Sequence, residues 1–179
     1  MKIVSFNVNS VRLRLHQLQA VIERHQPDVI GLQETKATDA DFPVADIEAM
    51  GYHVEYFGQK THYGVAMMSR LPFESVAKGL PNDDDEAQKR LITGWFKTPS
   101  GQDLVVCNGY FPQGEKRDHP VKFPGKEKFY ADLNHWMRSD FNPTDAVAII
   151  GDYNVAPVDV DIGIGADSTK RWLRDGKVQ

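Results

Sequence analysis

Apolar and polar positions alternate from Lys2 to Asn9, with Val4, Phe6 and Val8 on one side and Ile3, Ser5, Asn7 and Asn9 on the other. A period of two predicts a strand, here one that ends in amides. The period then lengthens. Leu15, Leu18 and Ile22 fall at i, i+3 and i+7, the stripe of a helix that Ser10 is placed to cap and that runs to about His25, ahead of Pro27. Asp28 to Leu32 read as a second short apolar strand, followed at once by Gln33, Glu34 and Thr35. Residues 39 to 50 read as a short acidic helix or loop, and 51–57 and 64–70 as two strands around a turn-rich GQKTHY. Two more, 90–96 and 103–111, are joined by Thr98 to Gly101, a hairpin signal. Several strands after an initial β-α-β unit predict a sheet that continues antiparallel.

Further along, the four acids Asp83 to Glu86 read as a solvated loop, and 110 to 128 as a long Pro-rich loop. Phe129, Leu133 and Trp136 then recur at i, i+4 and i+7 along a helix to about Ser139, which Asn142 and Pro143 break. Ala146 to Ile150 predict a buried strand, with Gly151 as a tight exit and Asp152 and Asn154 just beyond it. Residues 158–165 read as a loop with two acids and 168–176 as a basic helical turn or two.

Three apolar strands therefore end in polar groups: Asn7, Glu34 and Asp152. Residues i and i+2 of an extended segment point the same way, so Asp152 and Asn154 are able to face one cavity. Alone, the pair reads equally as a turn after a strand. In open α/β sheets, sites form outside the carboxyl ends of the strands, so the three ends converge if the strands are neighbours.

Composition narrows the picture. At 179 residues the chain fits one well-buried domain, 1–179, rather than two. A net charge of −4 argues against indiscriminate coating of nucleic acid, while leaving room for a local basic groove around an acidic, metal-loaded centre. Residues 110–128 carry five Lys or Arg, one His and three Pro interleaved with aromatics, which suits a phosphate backbone or an ordinary solvated loop. The one cysteine, Cys107, allows no intrachain disulfide and reads as a small core residue. The start, MKIVSFNVNS, reads as neither a signal peptide nor a membrane span, so the expected setting is cytoplasmic.

FNVNSVR, IGLQETK at 30–36, NGYFPQG at 108–114 and IIGDYNVAPVDVDIGIG at 149–165, in this order, resemble the exonuclease III class of abasic-site endonucleases in the endonuclease/exonuclease/phosphatase superfamily. HQPDVIGLQETK, FGQKTHYGVA, GYFPQGEKRDHPVKFP and KRWLR extend the resemblance over the whole chain. It implies a four-layered α/β sandwich, two mixed β-sheets flanked by helices. It also implies a Mg²⁺-dependent hydrolase, with Mn²⁺ as a substitute, that incises duplex DNA beside abasic sites, degrades one strand from the 3′ end and removes 3′ blocking groups. Its partner is then double-stranded DNA with abasic or 3′-blocked sites, and the complete protein is a monomer.

Carried over by motif, Glu34 is the principal metal ligand, with Asn7, Asp152 and Asn154 around the same ion. Tyr110 contacts the scissile phosphate, Asp152 activates or orients the attacking water, and Asn154 steadies the transition state. Gln113, Arg90, Lys122 and Lys116 face DNA. The donor types suit the ion: Mg²⁺ is hard and takes oxygen ligands, often one or two carboxylates plus water and substrate phosphate. The class pattern continues with a further Asp and a Ser-Asp-His ending, and none of the six histidines has that context. The chain thus reads as an N-terminal portion, incomplete at its C-terminus. Two other readings stand beside the nuclease: a catalytically inactive metal- or DNA-binding fragment, and a phosphoesterase of the same superfamily acting on a small phosphate ester.

Overall fold

A computed structural model describes residues 1–158 and Asp161. The predicted basic turns at 168–176 and most of the 158–165 loop lie outside the described residues. Eight strands, β1 (Ile3–Asn7), β2 (Val29–Gln33), β3 (His53–Phe57), β4 (Val65–Ser69), β5 (Ser75–Lys78), β6 (Leu91–Lys97), β7 (Asp103–Tyr110) and β8 (Val147–Asp152), form two sheets. The first has the order β1-β2-β4-β3 and the second β5-β6-β7-β8. Both are mixed: β1 runs parallel to β2 and β7 parallel to β8, and the other pairs are antiparallel. Helices α1 (Val11–His25) and α2 (Val44–Ala49) cover one sheet, and α3 (Lys122–Asp140) covers the other. The result is the expected α/β sandwich of four layers.

Strand alternation assigns each side chain to a layer. Val4, Phe6, Ile30, Leu32, Ala66 and Met68 pack with Leu18, Ile22 and Ile47 of the helices. The opposite faces, Val29, Val65 and Met67 from one sheet and Ile92, Phe96 and Val106 from the other, form the seam between the sheets. Val105, Cys107 and Leu91 meet Leu133 and Trp136 of α3. Burial pushes the Cys107 thiol up to about 11, so it stays protonated as the core residue the sequence predicted.

One polar cluster crosses the apolar seam. Asn108 of β7 donates to the carbonyls of Leu32 (3.0 Å) and Ala66 (2.9 Å) in the opposite sheet and accepts from Gln33 Nε2 at 2.6 Å. Every polar atom of the Asn108 side chain thus has a partner, which fixes the register of one sheet against the other. Replacing Asn108 by Ala removes the buried bonds to the Leu32 and Ala66 carbonyls and to the Gln33 amide and leaves a void, so the urea midpoint should drop by an amount equivalent to about 3 kcal/mol. A change below about 1 kcal/mol would show that the cluster does not hold the sheets together.

Several details depart from the sequence reading. The short strand β5 was not predicted. Ser10 sits at the start of α1 with φ 86° and makes no side-chain cap; its backbone N–H instead donates to the Glu34 carbonyl at 2.8 Å. The Pro-rich loop is shorter than predicted because α3 begins at Lys122; Pro124 falls in its first turn, where a missing N–H costs nothing. Gly151 is not an exit from β8 but lies within it, and the strand is half-buried rather than buried. Among the described residues, no helix is long and apolar enough to cross a membrane.

Candidate active site

Because β1 and β2 are parallel, as are β7 and β8, their carboxyl ends emerge at one end of the seam. Asn7, Tyr110 and Asp152 all point to the inner faces there, and Glu34 follows β2 directly. The three strand ends do converge, but not as neighbours in one sheet. Asn7 and Glu34 come from the first sheet and Asp152 from the second, so the meeting point is the mouth of the sandwich.

Asn7 links the two carboxylates. Its Nδ2 donates to Glu34 Oε1 and to Asp152 Oδ2, both at 2.9 Å, and its Oδ1 accepts from the backbone N–H of Asn9 at 3.0 Å. The amide orientation is therefore fixed by its neighbours. Glu34 has φ 52° and Lys36 φ 50°, left-handed conformations that the surrounding bonds impose. The Lys36 ammonium lies 3.0 Å from Glu34 Oε2. Burial, the largest influence, works to raise the Glu34 pKa, but hydrogen bonds from Asn7, Lys36 and Tyr110 and the Lys36 charge together hold the carboxyl below its ordinary value.

That shift has a sign. A carboxyl with a depressed folded-state pKa adds stability that is present above the ordinary value of 4.5 and is lost as pH falls through the lower folded value. In metal-free buffer, urea midpoints should decline more steeply below about pH 4.5 for the parent than for a Lys36→Met variant. Identical slopes would mean that Lys36 does not set the Glu34 pKa.

Tyr110 closes the far side. Burial, followed by its hydrogen bond to Glu34 and that residue's charge, pushes the phenol well above 10, so it stays protonated and acts as a donor. Behind it, Arg90 is 8% exposed; Nη1 donates to the Tyr110 carbonyl (2.9 Å) and Nε to Gln88 Oε1 (2.6 Å). The guanidinium carbon lies 4.1 Å from the Tyr63 ring centre and 5.1 Å from that of Tyr110. Arg90 is thus held largely by protein groups, although it also reaches the wall of a cleft of about 610 Å³. Gln113 and Lys122 line the same cleft, and Lys122 pairs with Glu115. Lys116 is outside the lining and pairs with Asp118 at 3.4 Å.

Asn154, in a left-handed turn with φ 51°, is tied on three sides. Its N–H donates to Asp152 Oδ1 (3.1 Å), its Nδ2 to the Phe111 carbonyl (2.9 Å), and its own carbonyl accepts from Lys126 Nζ (2.9 Å). Both oxygens of Asp152 are therefore engaged, one by each neighbouring amide. The turn and the site, alternatives in the sequence, coexist: Asp152 accepts the turn's N–H while facing Asn7. Sequence reasoning missed Lys36, Tyr63 and Lys126. Lys36 had one available signal, its place two residues after Glu34 in LQETK; the other two gain significance only from partners distant in sequence.

Among the described residues no group of three or more His, Cys, Asp or Glu is placed to hold a metal. Two carboxylates brought together at the Asn7 amide still fit a hard divalent ion that retains waters and binds a substrate phosphate.

The chain matches the Endonuclease/Exonuclease/phosphatase family over residues 4–176. It is 51% identical to exodeoxyribonuclease III of Haemophilus influenzae over 177 residues, 99% of this chain and 66% of that protein. Among solved structures it resembles a 3′-5′ exonuclease from Neisseria meningitidis, with TM-score 0.83, 36% identity and coverage of 96% of this chain and 63% of that one. It is similar, again at TM-score 0.83, to a 3′ phosphatase from Neisseria bound to a product DNA hairpin, at 33% identity over 98% of this chain and 69% of that one. The chain thus spans about two thirds of the length of these relatives.

Proposed function

Because this chain belongs to the endonuclease/exonuclease/phosphatase family, we propose that the protein is a DNA-repair nuclease of the exodeoxyribonuclease III type. It hydrolyses phosphodiesters of duplex DNA, releasing nucleotides from 3′ ends, incising at abasic sites and removing 3′ blocking groups. The observation that carries this reading is the pair of carboxylates, Glu34 and Asp152, bridged by the Asn7 amide, with the Tyr110 phenol kept protonated beside them.

Each group has a chemical part. Glu34, with its pKa depressed, is ionised at neutral pH and, with Asn7, Asp152 and Asn154 around it, would hold Mg²⁺ or Mn²⁺. When bound, such an ion supplies charge neutralisation at the phosphoryl oxygens. Asp152, oriented through both its oxygens, takes the proton of the attacking water. Tyr110, kept protonated, donates to a phosphoryl oxygen. Asn154 spends one amide hydrogen on Phe111 and has a second for the developing charge. Gln113 and Lys122 meet the DNA backbone along the cleft, and Lys116 adds charge beyond it.

The 51% identity to an exodeoxyribonuclease favours DNA over a small phosphate ester as substrate. The test is Mg²⁺-dependent cleavage of an abasic-site duplex and of a 3′-recessed duplex by the full-length natural protein, with an inositol phosphate alongside. Cleavage of both duplexes, abolished by chelation, is expected. Turnover of the inositol phosphate alone, or of neither class, would overturn the proposal.

A further inference from the structure

Lys126 lies in the second turn of α3 and is 6% exposed. Long cationic side chains are almost never buried without a specific partner, and burying an ammonium adds little to stability compared with an apolar residue of similar size. Its place in the fold supplies a different rationale. The β7–β8 ladder ends at the pair Tyr110 and Asp152, with one further bond from the Phe111 N–H to the Asp152 carbonyl at 2.9 Å. Beyond it the main-chain ladder stops, one segment leading to Gln113 and the other to Asn154, whose Nδ2 still reaches the Phe111 carbonyl. Lys126 Nζ donates to the carbonyls of both, at 3.3 Å and 2.9 Å. Arg90 holds the Tyr110 carbonyl, one residue before the split.

From this geometry we infer that Lys126 is a positioning residue of the active site, an ammonium that cross-links the two segments leaving β7 and β8 and so sets Asp152, Asn154 and Gln113 relative to Tyr110. Its activity readout rests on the nuclease reading, whereas its structural readout does not. Lysine suits the task because one ammonium carries three donors and reaches two carbonyls that share no ladder. The helix that carries it is anchored by Leu133 and Trp136 against the second sheet, so the donor is presented from a rigid base.

The experiment compares the full-length natural protein with Lys126→Met, Lys126→Gln and Lys126→Arg variants. Hydrogen exchange should quicken at backbone amides of 112–115 and 153–156 in the Met and Gln variants and remain unchanged along 129–140 and in the strands. For cleavage of an abasic-site duplex, kcat should fall by about 10- to 100-fold, the scale of a lost charged hydrogen bond, and KM should stay within about threefold. Lys126→Arg should recover most of the loss, since a guanidinium also donates to carbonyls. Unaltered exchange in both segments with an unchanged kcat would overturn the proposal. So would a change in KM alone, which marks a DNA contact, or loss of protection throughout the molecule in both the Met and Gln variants, which marks a structural role. A parent protein that cleaves no DNA refutes the nuclease reading, and the exchange pattern then decides the role of Lys126 by itself.

Discussion

Asp152→Asn is expected to reduce kcat for DNA cleavage by about a thousandfold while leaving duplex binding intact. The substitution preserves shape and removes the proton acceptor. It also introduces a local conflict. Asp152 accepts through both oxygens, from Asn7 Nδ2 and from the Asn154 N–H, and a carboxamide has one oxygen and one NH2. Whichever way the new amide turns, a donor faces a donor, and either Asn7 or the Asn154 turn loses its anchor. Loss of the base accounts for two to four orders of magnitude, and the misdirected amide pushes the result away from the low end. Single-turnover cleavage at saturating Mg²⁺, with a thermal melt to verify folding, measures the effect. A loss below tenfold in a folded variant would remove Asp152 from the chemistry.

The second large effect is on folding. In β8, Gly151 has φ 145°, and a Cβ built there would stand 1.9 Å from the Gly109 carbonyl oxygen of β7. No rotamer relieves this, because the obstacle is backbone. Gly151→Ala should therefore cost about 4 kcal/mol, combining strained φ with overpacking, or prevent folding altogether. The damage falls next to Asp152, so any molecules that fold should cleave poorly as well. Urea unfolding at constant m reports the first effect, and a midpoint within about 1 kcal/mol of the parent would mean that the ladder relaxes there without difficulty.

Both predictions rest on features the sequence displayed unevenly. The strand ends are legible because alternation in one case and short apolar runs in the other two, each with an abrupt polar termination, are local signals, and the rule for open α/β sheets groups Asn7, Glu34 and Asp152 from them. What no local pattern reveals is which sheet a strand joins. Asn7 and Asp152 are 145 residues apart and meet only because two sheets stack. Strand β5 escaped notice because four residues, Ser75 to Lys78, with both ends exposed, carry almost no periodicity. The start of α3 was hidden by prolines that suit a first helical turn as well as a loop. Lys126 reads only as one of the basic residues of the 110–128 segment, and Arg90 as a DNA-facing residue by resemblance, since burial of a cation is decided by tertiary partners and leaves no trace in composition. In the sequence Gly151 reads as an exit because glycine commonly ends strands, whereas in the fold its missing side chain permits close approach inside one.

The division of the reactive groups between the two sheets also bears on how the protein comes into being. Among the described residues, the strands of the first sheet all precede Arg70, and those of the second run from Ser75 to Asp152. Chains are made from the amino terminus, and domains tend to form as they emerge. A nascent chain that has placed Asn7 and Glu34 still lacks Asp152, whose bond to Asn7 forms only when the second sheet packs against the first. Under the roles proposed above, a copy in which the two sheets have not closed lacks the group that takes the proton of water, so an unfinished fold is a silent one.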